Sequence, residues 1–369
     1  VENQLTVNSV KFQELIAKAN KACTNNKLIP ITGLISVSLR NGVLSLKTTD
    51  GRNYLTVTEK EVQGDNIDFV TTTNLFINLV TKMTSEKITF ILDPEQQKLS
   101  VKGNGSYSIS LPLNEEGELI TWPNSNKMGE VTNSFSAKPA NFKKAISTNK
   151  SSLAKTLEMP TLTQYYLEDG KVITCDSLVV CENRENVLSQ KVLLDPSLME
   201  LVSLMPDDEV GVEVGKDAIR FVGKNMELVG RITASYEEYP IEQLQEFFKA
   251  ALPFVCKVNR VSIMSALDRL NLFVENNDEN GITMVFSKKA LHLKSKRGSA
   301  TESIPYEDSL SVSEFSAFEN DLIYTINLEK LSDQLSAQND VYVNIGFGNS
   351  TAIRISSGTI TQVISLIGE

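Results

Sequence analysis

The sequence predicts an α+β chain in which short antiparallel strands outnumber helices and a single design is used three times. Three observations carry that expectation. Apolar and polar residues alternate over many short runs, with turn residues recurring roughly every 8 to 12 positions. Stretches of helical periodicity interrupt those runs at comparable places along the chain. One order of elements, a strand, a helix and then three more strands, returns twice after its first appearance.

The first helical stretch, residues 8–23, places Val10, Leu15, Ile16 and Ala19 at helical spacing, with Asn8 or Ser9 as its cap. Residues 138–152 and 257–273 are its counterparts, and each follows an apolar strand-like run, "QLTV", "SFSA" or "PFVCKV". The second helical element repeats more clearly. Residues 69–113, 191–234 and 322–367 each read strand, helix, strand, turn, strand, turn, strand. Asn74, Asp195 and Asn327 are the expected caps of these second helices. Matching positions Val70, Val192 and Ile323 lie 122 and 131 residues apart, about one third of the 369-residue chain. A finer repeat supports the same division: "LKTTDGRNYL" (46–55), "VITCDSLVVC" (172–181) and "LKSKRGSATE" (293–302) are versions of one strand and turn. Boundaries are expected near "WPNSNKMGEV" (122–131) and in the polar or irregular stretch "QLQEFFKAALP" (243–253), giving domains 1–128, 129–248 and 249–369.

Composition narrows the function classes. Hydrophobic content of 41% with 22% charged residues is that of an ordinary globular protein. No run is long and apolar enough for a membrane helix, and "VENQLTVNSV" lacks the basic and apolar start of a leader, so no membrane partner and a cytoplasmic location are expected. Cys23, Cys175, Cys181 and Cys256 are far apart without a CxxC pair, which disfavours both a disulfide framework and a zinc site and leaves buried free thiols. The one histidine, His292, lies in the alternating run "ALHLKS" and reads as structural.

Catalytic signatures are missing, so no catalytic residue, metal or cofactor is expected. "GVEVGKD" (211–217) has three residues between its glycines where a phosphate-binding loop has four, and Asp217 stands where Ser or Thr would hold magnesium. A hairpin turn is the better reading. "GFGNS" (346–350) lacks a third glycine and a following helix. Asp207, Asp208 and Glu209 fall in a helix-to-strand connection, where a solvated loop is the default.

A net charge of −10 and a pI near 5.0 argue against indiscriminate binding to nucleic acid. Basic residues nonetheless gather on the first helical element of each repeat: Lys11, Lys18 and Lys21; Lys138, Lys143, Lys144 and Lys150; Lys257, Arg260 and Arg269. Only Glu14 and Asp268 oppose them there. Among the second helices Lys82 adds a positive charge, residues 195–208 are acidic and residues 327–335 are mixed.

Three such units, with two helices each, resemble the bacterial-type DNA polymerase III beta subunit, the sliding clamp of the replicase, across essentially the whole chain. The local pieces are "LIPITGLISVSLRNGVLSLKTTD" (28–50), "YYLEDGKVITCDS" (165–177), and "ASYEEYPIEQL" (234–244), the last similar to the family's Phe-Pro-Asp-Tyr linker. The chain looks like a distant or phage-encoded member. "SLVV" (177–180) replaces the family's His-Arg-Leu, and "VISLIGE" (363–369) its Met-Pro-rich terminus.

The resemblance implies three DNA-clamp domains, each with two helices on antiparallel sheets, forming half of a closed ring. A homodimer would encircle double-stranded DNA without reading sequence, put the basic residues above toward the duplex, and tether the replicative polymerase after opening by a clamp loader. It also implies an apolar peptide cleft lined by Leu162, Cys175, Leu178, Val179, Val180, Pro240, Val363, Ser365 and Ile367. Subunit contacts would use edge strands of the first and third domains, with "ITFILD" (88–93), "SYSISLP" (106–112) and "GITMVFS" (281–287) as candidates. The alternative class is a non-enzymatic virion or tail structural protein built from duplicated β-rich domains.

Overall fold

The computed structural model describes residues 3–123, 128–274, 281–307, 320–348 and 350–368. The element order runs three times through one pattern. The first pass is β1 (Asn3–Asn8), α1 (Ser9–Ala19), β2 (Leu34–Arg40), β3 (Val43–Thr49), β4 (Asn53–Glu59), β5 (Ile67–Thr72), α2 (Thr73–Thr81), β6 (Lys87–Asp93), β7 (Lys98–Lys102) and β8 (Ser106–Ser110). The second is β9 (Val131–Ala137), α3 (Pro139–Asn149), β10 (Tyr165–Glu168), β11 (Lys171–Cys175), β12 (Val179–Asn183), β13 (Val192–Leu194), α4 (Pro196–Ser203), β14 (Val210–Gly215), β15 (Ala218–Val222) and β16 (Met226–Arg231). A helix without counterpart among the described residues, α5 (Ile241–Lys249), follows. The third pass is β17 (Phe254–Asn259), α6 (Arg260–Asn271), β18 (Gly281–Phe286), β19 (Ala290–Ser295), β20 (Thr301–Pro305), β21 (Leu322–Asn327), α7 (Leu328–Ala337), β22 (Tyr342–Phe347), β23 (Ala352–Ser357) and β24 (Ile360–Ser365).

Two compact units result, one of residues 1–139 and 197–233, the other of residues 140–196 and 234–369. The first holds a four-stranded sheet, β1-β6-β7-β8, and an eight-stranded sheet, β5-β2-β3-β4-β16-β15-β14-β9. The second holds the eight-stranded sheet β13-β10-β11-β12-β24-β23-β22-β17 and the four-stranded sheet β20-β19-β18-β21. Each eight-stranded sheet is thus two four-stranded halves taken from successive passes, joined edge to edge by β4 with β16 or by β12 with β24, antiparallel over five residue pairs.

In the first unit α1 begins at Asn8, whose side chain accepts the Lys11 amide, and buries Phe12, Leu15, Ile16 and Ala19. Phe12, not the expected Val10, completes the apolar stripe, since i+3 and i+4 from Phe12 are Leu15 and Ile16. Val10 is 63% exposed. Phe12 meets Phe76 of α2 and Phe90 of β6 with ring centroids 6.4 and 5.1 Å away. Each such fully buried ring stabilises the unit by about 1.5–3 kcal/mol. Helix α2 starts one residue before the expected cap: Thr72 is the N-cap, and Asn74 lies inside the first turn. Asn327 caps α7 as expected, accepting the Lys330 amide at 2.9 Å.

In the second unit Phe286 and Phe347 stack at 3.9 Å, beneath Ile263 and Leu267 of α6 and Leu331 and Leu335 of α7. The strand and turn that recurs in the sequence becomes β3–β4, β11–β12 and β19–β20. Its turn needs a left-handed residue, supplied by Gly51 (φ 96°) and Gly298 (φ 70°), whereas β11–β12 places Ser177 there at φ 74°.

Candidate nucleic-acid interface and partner cleft

In the first unit Lys11, exposed, and Lys18, half-buried, flank the buried stripe of α1, and Lys21 follows in a 3-10 turn at Asn20–Ala22. Gln13 of α1 donates its side-chain amide to the carbonyls of Val80 (2.9 Å) and Met83 (2.8 Å), closing the C-terminal end of α2. That bond fixes α1 beside the exposed Lys82, the C-cap residue of α2. Lys138 precedes α3, and Lys143 and Lys144 are exposed along it. Among the described residues Lys11, Lys18, Lys21, Lys82, Lys138 and Lys143 make no ion pair, while Lys144 reaches Glu185 at 3.5 Å. Lys150 is exposed in the 3-10 turn that follows α3.

The third set of cations is used differently from the sequence expectation. Lys257 is on strand β17, not on a helix, and its ammonium sits 5.3 Å above the Tyr342 ring. Arg260 opens α6 but donates Nε to the Asp340 carbonyl at 2.8 Å, tying the two helical ends of its repeat together. Arg269 grips Glu302 of β20 with bonds of 2.7 and 2.9 Å, a fork geometry that lowers the Glu302 carboxyl from its ordinary value. All three have partners within the unit, and the remaining open face of α6, Val261, Ser262, Ser265 and Asp268, carries no positive charge. Of the cations expected from sequence to face a duplex, those without an ion pair among the described residues therefore lie on or beside α1, the end of α2 and α3.

The nine residues expected to line a cleft separate into four buried together, four with access to solvent, and Val179 by itself. Leu162, Cys175 and Val180 are buried in one apolar cluster with Tyr166, Ile173, Leu193, Tyr239 and Leu244. Val363, opposite Val180 on β24, is equally buried. Val179 faces the other side of the sheet and belongs to the core beneath α6 and α7, so it is no cleft wall; alternation along β12 sends neighbours to opposite faces. Leu178, 50% exposed, with half-buried Pro240, Ser365 and Ile367, keeps access to solvent. Ile364 and Leu366 turn into that same core, as the alternation of the tail requires. The turn is held by Asp176, which accepts the Leu178 and Val179 amides at 3.1 and 2.8 Å and the Lys330 ammonium.

What covers the buried group is α5, in a stretch read from sequence as irregular linker. Ile241, Leu244 and Phe248 pack on the cluster. The signals were present: apolar residues at i, i+3 and i+7, Pro240 before the first turn, Glu242 in that turn and Lys249 in the last. Tyr239 anchors the N-terminal side, its ring stacked on Tyr166 at 5.0 Å. Burial pushes the Tyr239 phenol well above its ordinary pKa. Arg354 of β23 anchors the other side, donating Nη2 to the Phe248 and Ala250 carbonyls at 2.6 and 2.9 Å.

Burial likewise raises all four thiols, Cys23 and Cys181 to about 12. His292 has its ring nitrogen 3.3 Å from the Ser287 hydroxyl. "GVEVGKD" is the β14–β15 hairpin. Among the described residues no three or more His, Cys, Asp or Glu side chains come together as a metal site would need. No described helix is long and apolar enough to cross a membrane.

Internally repeated two-helix units whose half-sheets join edge to edge define the sliding-clamp fold, and this chain has it from end to end. It is similar to the DNA polymerase sliding clamp of Bacillus subtilis (15% identity, TM-score 0.83, all of both chains covered) and to the DNA polymerase III beta chain of Streptococcus pneumoniae TIGR4 (15%, 0.83, all of both chains). The DNA polymerase III beta subunit of Thermotoga maritima is likewise similar (15%, 0.80, all of both chains). No family model matches the sequence. No curated protein matches it either.

Proposed function

We propose that this chain is a DNA polymerase processivity factor, a sliding clamp that encircles double-stranded DNA as a ring-shaped homodimer. It performs no bond chemistry. Its effect is to convert a dissociating polymerase into one held at high effective concentration by a topological tether. In this reading the three passes are domains 1–128, 129–248 and 249–369.

The observation that carries the proposal is a mismatch in the sheet count. Two joints of half-sheets, β4–β16 and β12–β24, are made within the chain, and the equivalent strands left over are β20 and β8, each an edge among the described residues. A second copy supplies both missing partners, and head-to-tail pairing closes the assembly with every half-sheet joined as the two internal ones are. Of the strands suggested by sequence, β8 alone suits this role, because β6 and β18 are flanked on both sides.

Duplex DNA would be met by Lys11, Lys18, Lys21, Lys82, Lys138 and Lys143, through sparse, sequence-independent contacts to phosphate. Acidic surface elsewhere discourages tight adhesion, which a sliding ring must avoid. The replicative polymerase and other partners would dock a short apolar peptide at Leu178, Pro240, Ser365 and Ile367 and the cluster beneath α5. Loading by a separate clamp loader and a cytoplasmic location belong to the same reading. Nothing among the described residues favours the virion or tail alternative.

The test is retention on DNA. Protein assembled on a nicked circular plasmid should stay bound through gel filtration and run off after the plasmid is cut once. Equal retention on circle and linear duplex would refute encirclement.

A further inference from the structure

We infer that the first unit carries a small-molecule site separate from the surfaces described above: a donor-lined cleft that takes a phosphate monoester with a flat ring body, of which a nucleoside monophosphate is the simplest form.

The cleft encloses about 690 Å³, a size that suits a small ligand. Its floor is the face of β2 and β3 turned away from α1. Alternation sends Leu44, Leu46 and Thr48 of β3 toward α1, where Thr48 donates its hydroxyl to the Ala19 carbonyl at 2.6 Å, and sends Ser45 and Lys47 to the other face. Across the strand pair Ser38 stands opposite Ser45, and Ser36 opposite Lys47. Opposite residues are about 5 Å apart and next-but-one residues about 7 Å, so these four side chains occupy the corners of a small rectangle. One tetrahedral oxyanion at its centre comes within reach of all four. The facing wall is the chain after β8, which doubles back so that Ile120 donates its amide to the Pro112 carbonyl at 3.3 Å. Leu119, Ile120 and Trp122 of this segment line the cleft and give a ring body an apolar and aromatic surface.

Two features separate this cleft from ordinary sheet surface. Among the described residues none of the four polar side chains has a hydrogen bond or ion pair within the protein, although Ser36 is 2% exposed and the other three are half-buried. Polar groups withdrawn from water are costly unless something satisfies them. Three hydroxyls and one ammonium offer six hydrogens, which matches the three terminal oxygens of a phosphate better than the two of a carboxylate. Arg40 stands at the rim in an exposed pair with Asp68 at 2.6 Å. Such a pair contributes little, so the guanidinium is available to a second negative charge.

The second feature is the contrast with the next pass. The two-residue turns Asn41-Gly42 and Asp169-Gly170 align the hairpins β2–β3 and β10–β11. In that alignment Ser38, Ser45, Lys47 and Asp68 hold the places of Tyr166, Ile173, Cys175 and Leu193. The second pass fills its floor with packed apolar side chains. The fold therefore has no need of polar groups there, and the first pass places donors in the same positions with nothing in the protein to receive them.

The probe is adenosine monophosphate, titrated into the full chain by calorimetry and followed by the fluorescence of Trp122, the only tryptophan of the chain. One equivalent should bind per chain, with a dissociation constant on the order of 10–100 µM, and change the emission. Phenyl phosphate, which shares the head group and a flat ring, should compete for the site. Adenosine and inorganic phosphate, each lacking one half of that chemistry, should bind at least about tenfold more weakly. Lys47→Gln and Ser45→Val should each weaken adenosine monophosphate about tenfold or more, with an unchanged thermal midpoint because neither side chain is bonded within the protein. Wild-type affinity in both variants would put the ligand elsewhere and overturn the inference. An equal loss in Lys143→Glu would put the phosphate on the lysines assigned to the duplex, with the same consequence. Absence of heat and of any emission change at millimolar adenosine monophosphate and phenyl phosphate would also overturn it. Encirclement is read separately, since Lys47→Gln should be retained on the nicked circle as the wild type is.

Discussion

Substituting Ser108 by proline should break the dimer while sparing the protomer. The ladder explains why. Leu111 donates its amide to Gln97 and Gly103 donates to Gly105, so the odd-numbered residues of β8 turn their backbone groups toward β7. Ser106, Ser108 and Ser110 then point theirs outward, toward the strand a second copy would bring. The facing strand β20 has the same arrangement: Ser295 donates to Ala300, which turns Thr301, Ser303 and Pro305 outward. Proline is tolerated there for the same reason, since an outward edge position needs no donor within the protomer.

The internal joints span five residue pairs, equivalent to about five backbone hydrogen bonds at about 1 kcal/mol net each. Proline at Ser108 removes the central donor, and its ring holds the partner strand away, so each joint loses about 2–3 kcal/mol. A closed dimer has two such joints. The combined loss of about 4–6 kcal/mol raises the dissociation constant roughly 10³- to 10⁴-fold. Sedimentation equilibrium should show the wild type at twice 40.8 kDa and Ser108→Pro shifted to monomer at micromolar concentration, with a nearly unchanged unfolding midpoint. Tyr107→Pro is the contrast, because it removes a bond to β7 and should lower that midpoint. A Ser108→Pro protein that remains as dimeric as the wild type would refute the strand pairing.

Lys11→Glu and Lys143→Glu should each flatten the salt dependence of DNA association, by up to about 2 units in log K against log salt when both protomers contribute; an unchanged slope would put these lysines away from the duplex. Arg269→Ala should leave that slope alone and lower the thermal midpoint, because its charge is spent on Glu302. Gly230→Ala should cost about 1–3 kcal/mol by urea denaturation, since a methyl there would lie 2.4 Å from Leu198 of α4 and 2.9 Å from the side chain of Asn53, its partner across the β4–β16 joint. Ser177→Gly should stabilise by about 1 kcal/mol by relieving its left-handed backbone; a loss instead would mean the serine side chain contributes more than the strain costs.

The periodic part of the fold was legible because it is local. Alternation over "LISVSLR" and the 3.6-residue period over "FQELIAKA" are the same quantities that decide which face of a strand or helix is buried, so β2 and α1 follow from composition along a few turns. The threefold return of that pattern was equally readable, and with it the equivalence of the turns at Asp50 and Asp176. Misplacements such as Val10 for Phe12, or Asn74 for Thr72 as cap, are shifts of one or two residues where several side chains satisfy the same pattern. Helix α5 was missed for a different reason: its three anchors sit in a polar stretch, and their meaning depends on an apolar floor made by residues about 50 to 80 positions earlier.

What the sequence determined by itself was therefore the α+β class, the repeated element order, three of the four buried thiols and the gathering of cations on and around the first helices. Which cations are available was decided by tertiary structure, because an arginine's charge depends on what stands across from it: Glu302 for Arg269, the Asp340 carbonyl for Arg260 and the Tyr342 ring for Lys257. Tertiary structure also decided which sheet edges remain unpaired, since β6, β8 and β18 all alternate in sequence, and their difference lies only in whether a neighbour occupies one side or both.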